Sequence, residues 1–258
     1  MKKRLIGMIA LLMMSIAIYF FVQKSPVQDN SVFVVGTAAG YAPFVSVNPS
    51  GEYEGFDIDV AKAVANKLNK KLVIKDLGSM TSLFMALDQG MIDAIIWGIS
   101  ITQDRLAKVA MIHYQGSTVT SYPLLFWKTV PADIQSLTDI HGTTVCIEPG
   151  SSQDGVLSQY PQIRTLQVDK IDDALLQLQY GKADAAFVEP AIAQKFKNKY
   201  PEIQSIDIPL ASADQVHGVG IVVKKNKETL IAELQQAVAT LKSTGTIEQF
   251  AQTWDIPS

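Results

Sequence analysis

The apolar positions fall into short β-branched runs that alternate with stretches of helical spacing. Residues 31–37 form the first run and 38–44 follow as a loop, with a turn at Asn48, Pro49, Ser50 and Gly51. Between Asp57 and Leu68 the apolar residues Ile58, Val60, Ala61, Val64, Ala65 and Leu68 recur as on one face of a helix. Asp57 and Asp59 lie near its positive end. A strand at 72–74, a helix at 81–88 that stops at Gly90, and a buried strand at 92–96 complete this series. Residues 118–127 read as extended. A second alternation then begins at Gly142: strand 143–147, loop 148–154, strand 165–168, helix 171–180 and strand 184–188. Pro190 suits the first turn of the next helix. Strand 217–223 and helices 228–241 and 246–254 close the chain.

Such βαβα alternation predicts an α/β protein with mostly parallel sheets flanked by helices, and ligands at the carboxyl ends of the strands. Two units of similar design joined by extended segments predict a cleft between them. The turn from Trp97 to Arg105 stands at one such strand end. Thr102 reads as a helix N-cap, Gly98 lets a ligand approach the backbone, and Arg105 offers a planar two-pronged donor. With Ser100 and nearby amides, this turn can hold a carboxylate.

Composition narrows the classes. A chain of 258 residues allows one large domain or two of about 100 residues each. A formal charge of −3 gives no basic footprint, which argues against nucleic acid. Cys146 is the only cysteine, so no disulfide framework or cysteine-based metal site can be built, and its apolar run implies a buried, inert thiol. His113, His141 and His217 have no ligand spacing, and no cofactor or metal is expected. Lys2, Lys3 and Arg4 precede an apolar run from Leu5 to Val22, near the lower limit for a spanning helix. No small-x-small cleavage site or lipid-attachment cysteine follows. The expectation is export of the rest of the chain, to a periplasmic or extracytoplasmic location, behind an uncleaved anchor or signal segment and a tether to residue 30.

Gly55 to Leu68 resembles the signature of the amino-acid family of extracellular solute-binding proteins, family 3, which serve ABC importers. The likeness extends through Val34-Val35-Gly36-Thr37, Ile99 to Arg105 and Gly181-Lys182-Ala183-Asp184-Ala185. The Val188-Glu189-Pro190 step is similar to arginine-binding members of chlamydial type. The resemblance implies the two-lobed periplasmic-binding-protein fold with two crossover hinge strands. Residues 31–118 and 217–258 would form lobe 1, and 119–216 lobe 2. It implies a monomeric receptor, not an enzyme, that closes on an L-amino acid, a basic one such as arginine, and delivers it to a permease.

Position by position, the resemblance gives Arg105 the ligand's α-carboxylate, helped by Ser100, the Gly98 backbone, Ser151 and Ser152. Glu189 would accept from the α-ammonium group, and Tyr41 would stack on the ligand side chain. Trp97, Met80 and Glu148 would line the side-chain pocket. Ala38 and Met80 depart from the acidic or amide residue and the aromatic common in basic-amino-acid binders. Glu148 could restore a negative charge and Trp97 a cation–π face. The alternatives are a neutral polar ligand such as glutamine, a sensor without a permease, or a dehydratase-like enzyme using Glu148 and Glu189 as an acid–base pair.

Overall fold

The structure, a computed structural model, describes residues 31–256. The apolar run from Leu5 to Val22, expected to serve as anchor or signal, lies outside the described residues. Among those described, no helix is long and apolar enough to cross a membrane.

Strands are numbered in chain order. β1 (Val32–Thr37) is flanked by β4 (Lys71–Asp76) and β5 (Ala94–Ile95), followed by β12 (Val216–Val223) and β6 (Ala110–Val119). The ribbon β2–β3 (Ser46–Val47, Tyr53–Glu54) lies between β1 and the first helix. In the second sheet β9 (Arg164–Gln167), β8 (Thr144–Ile147), β10 (Ala185–Phe187), β7 (Ser121–Trp127) and β11 (Ile203–Pro209) follow one another. Both sheets share one design: three adjacent parallel strands, one reversed strand (β12 or β7), and an outer strand parallel to the first three. The chain crosses between sheets at Thr120 and again at residues 210–215, where the Leu210 amide donates to the Thr120 carbonyl at 2.8 Å.

The second sheet is buried on both faces, as the period of two dictates. Tyr122, Leu124 and Phe126 of β7, Val145 and Ile147 of β8, and Ala185 and Phe187 of β10 face one apolar cluster. The intervening Leu125, Cys146 and Ala186 face another. That second cluster runs on through the cleft into the first sheet, so the two walls are packed against each other.

The helices are α1 (Phe56–Lys67), α2 (Met80–Asp88), α3 (Gln103–Lys108), α4 (Ser152–Leu157), α5 (Asp173–Gln179), α6 (Pro190–Lys199), α7 (Glu228–Ser243) and α8 (Thr246–Thr253). The last two pack on α1, and α7 also on β6. Three differences from the sequence reading have local causes. β6 begins at Ala110 rather than 118, because β12 pairs along its length while a bulge around Gly218 absorbs the irregularity. β11 has no clean alternation and is held as an edge strand by β7 alone. Helix α4 starts inside the expected loop 148–154, because Ser151 Oγ accepts from the Asp154 amide at 3.1 Å.

Candidate functional site

Four parallel strands aim their carboxyl ends at one cleft, as the sheet rule requires. Beyond β1 comes Tyr41, beyond β5 come Trp97, Gly98 and Ser100, beyond β8 Glu148, and beyond β10 Glu189. Met80 opens α2, Arg105 lies in α3, and Ser151 and Ser152 begin α4. All ten of these sequence-predicted residues line a single cavity. Its volume is about 30 Å³, room for a water molecule or two. Admitting an amino acid therefore requires the two sheets to move apart.

Local structure explains the placements. Thr102 Oγ1 accepts from the Arg105 amide at 3.2 Å, fixing the first turn of α3 and the arginine on it. Gly98 has φ of 54°, and a Cβ there would stand 3.0 Å from the Tyr41 ring. Glycine is needed on both counts. Tyr41 stacks on Phe44 at 5.1 Å and meets Trp97 at 5.2 Å in a tilted arrangement, so an aromatic wall is present.

The polar groups divide by partnership. Glu189 accepts from the Tyr41 hydroxyl at 2.9 Å and from Ser100 Oγ at 2.5 Å, both from the first sheet. Arg105 donates from Nη1 to the Ser100 carbonyl at 2.8 Å and from Nη2 to the Gly150 carbonyl of the second sheet at 2.9 Å. Its guanidinium also lies 5.9 Å from the Phe84 ring centroid. Ser151 caps α4, and Ser152 Oγ shares a hydrogen bond of 2.8 Å with the Tyr122 hydroxyl. The Glu148 side chain, by contrast, is largely buried, and no hydrogen-bond donor among the described residues reaches its carboxylate. Trp97 Nε1 and Gln153 Nε2 are buried donors without an acceptor among the described residues.

Electrostatics follow from this enclosure. Burial lowers the Arg105 value, while Glu189 opposes that shift. Burial, then Glu189 and Glu148, raise Tyr41 well above the usual phenol, so it keeps its proton and can donate it to Glu189. Glu148 is pushed up to about 8 by burial and by Glu189, with Arg105 pulling the other way. The cavity thus faces one guanidinium with two carboxylates.

Sequence reasoning missed Gln153, which sits in the first turn of α4 and lines the cavity. Its signal was adjacency to Ser152, obscured by reading 148–154 as loop. Asp57 has a role beyond the helix-dipole reading. It lies in the first turn of α1 as read, and its carboxylate is wholly buried and accepts from the Tyr114 hydroxyl at 2.7 Å. Burial raises it to about 7, against hydrogen bonds from Tyr114 and the Gly98 backbone.

Comparison with known proteins fits this geometry. The profile of the bacterial extracellular solute-binding proteins, family 3, matches residues 33–256. The probable ABC transporter arginine-binding protein ArtJ of Chlamydia trachomatis serovar D is 32% identical over 228 residues, covering 88% of this chain and 87% of that protein. The ABC transporter glutamine-binding protein GlnH of Bacillus subtilis is 29% identical over 236 residues, 88% of this chain and 82% of that one. Among solved structures, a mutant of ArgBP from T. maritima superposes with a TM-score of 0.78 at 29% identity, covering 90% of this chain and 98% of the other. All three relatives are named as binding proteins.

Proposed function

From the premise that the chain belongs to the bacterial extracellular solute-binding proteins, family 3, we propose that it is the receptor of an ABC importer and that its ligand is an L-amino acid, arginine first. One observation carries the reading: a buried arginine and two carboxylates, Glu148 and Glu189, line the same cavity. A zwitterion with a cationic side chain is the charge complement of that set. Its carboxylate meets Arg105, its α-ammonium Glu189, and its side chain Glu148 beside Trp97. Ser100, Ser151, Ser152 and the Gly98 backbone add donors to the carboxylate, while Tyr41 and Met80 flank the aliphatic stem. Binding fits this set better than catalysis, since each charged group of a cationic amino acid meets an opposite charge lining the cavity.

Residues 31–118 with 217–258 move as one lobe and 119–216 as the other, turning at Thr120 and 210–215. The apolar run from Leu5 to Val22 tethers the receptor at the membrane beside its permease, and the chain acts as a monomer.

A neutral amide ligand is the second reading. It is favoured by the raised value of Glu148, whose protonated form suits a glutamine side chain. The glutamine-binding relative supports it as well. Thermal shift of residues 29–258 against the L-amino acids tests both, because a ligand selective for the folded state raises Tm. Stabilisation by arginine, lysine or ornithine supports the basic reading, stabilisation by glutamine the neutral one, and no response to any amino acid overturns both.

A further inference from the structure

Glu148 directly follows the buried strand β8 and is only 8% exposed, yet no donor reaches its carboxylate among the described residues. Charged and titratable groups face it from each neighbouring element. Glu189 comes from the end of β10, Asp169 from the segment after β9, the Tyr41 phenol from the opposite wall, and Arg105 from α3. Arg105 is the only opposite charge in that group, and its Nη1 and Nη2 already donate to the Ser100 and Gly150 carbonyls. A buried carboxylate without a donor, beside a second carboxylate, is neutralised by a proton unless a cation is brought to it.

Resting on the amino-acid reading above, we propose that Glu148 selects the ligand class by exchange: it gives up its proton to solvent when a cationic side chain binds, and keeps it when the side chain is neutral. In the first complex a carboxylate faces a cation. In the second a carboxylic acid donates its O–H to the carbonyl of an amide or urea group. The two complexes then differ by one bound proton, whatever the protonation or openness of the ligand-free protein, because that reference state cancels in the ratio of affinities. Since burial and Glu189 hold Glu148 at about 8 in the closed cleft, the difference persists through the neutral range.

Arginine and citrulline, of the same shape but different charge, are the probes. Their affinities are measured by calorimetry from pH 6 to 8, in pairs of buffers with unlike ionisation enthalpies. The expected result is an arginine-to-citrulline affinity ratio that rises about tenfold per pH unit below pH 8, with one more proton released for arginine. In Glu148→Gln, which cannot ionise, the ratio is flat and the proton counts are equal. Equal proton counts in the unsubstituted protein, or a slope that survives in Glu148→Gln, overturn the exchange while leaving the amino-acid reading standing. Binding of neither probe at any pH overturns both.

Discussion

Two sets of polar groups share the cleft and are treated oppositely by the fold. Arg105, Ser100, Tyr41 and Glu189 are bonded to one another or to backbone carbonyls across the two sheets. Among the described residues, Trp97 Nε1 and Gln153 Nε2 are buried beside them without an acceptor, and no donor reaches the carboxylate of the largely buried Glu148. A ligand that meets the first set replaces hydrogen bonds already made, so the net gain per bond is modest. One that meets the second set satisfies groups whose desolvation is uncompensated, about 1–3 kcal/mol for each. Closure is therefore written into the first set and ligand choice into the second. Each of the following changes breaks one side of that contrast.

The largest effect is expected from Arg105→Ala. It removes the one guanidinium that lines the cavity among the described residues and strands the ligand carboxylate, a truncation that costs about 2–5 kcal/mol in buried charge pairs. Arginine affinity should fall about 100-fold or more in calorimetry, for cationic and neutral ligands alike. Loss confined to one ligand class would move Arg105 out of the shared set.

Gln153→Met should separate stability from binding. The buried Nε2 donor has no acceptor among the described residues, so removing it offsets the loss of the 3.3 Å bond that Oε1 accepts from Ser152 Oγ, and Tm stays nearly unchanged. If Gln153 reads the ligand side chain, affinity drops about tenfold, the scale of one hydrogen bond to a polar partner. A drop in Tm with unchanged affinity would assign Gln153 to folding alone.

Tyr41→Phe keeps the aromatic wall but deletes the donor to Glu189 across the cleft. A hydrogen bond to a charged group is worth about 1.5–3 kcal/mol. The ligand-free protein should open, seen as a larger radius of gyration in solution scattering. Arginine, whose ammonium gives Glu189 a new partner, should bind a few-fold more tightly because the competing closed form is weaker. Unchanged scattering would mean that the Tyr41–Glu189 bond adds nothing to closure.

How much of this was legible in the sequence follows from how local each feature is. The strand end at Trp97, the Thr102 cap and the position of Arg105 are encoded within nine residues, and the structure places them as those residues read. The pairing of Tyr41 with Glu189 joins residues 148 positions apart, which no local pattern encodes. Gln153 was hidden because a six-residue helix such as α4 shows too little periodicity to declare a face. Strand β11 was hidden because its exposure does not alternate and its pairing comes only from β7. Asp57 fitted a helix-dipole reading so well that its burial against Tyr114 went unseen.

Asp57 belongs to neither set, and its titration sharpens the contrast between them. Its folded-state value is raised to about 7, above that of an unfolded aspartate, so the folded protein holds this proton more firmly than the unfolded chain. The resulting stability is fully present below the ordinary aspartate range and is lost as pH rises toward 7. Tm should accordingly fall by several degrees from pH 5 to pH 8, in the part of the slope that Asp57 carries. Asp57→Asn keeps an acceptor for the Tyr114 hydroxyl but cannot ionise, so scanning calorimetry should show a flatter slope and a smaller loss at pH 8. Because Asp57 is the same in arginine and citrulline complexes, this substitution should leave the pH dependence of their affinity ratio in place. A ratio that flattened with Asp57→Asn would place the discriminating proton on Asp57 rather than on Glu148, and the division between a closing set and a choosing set would have to be redrawn.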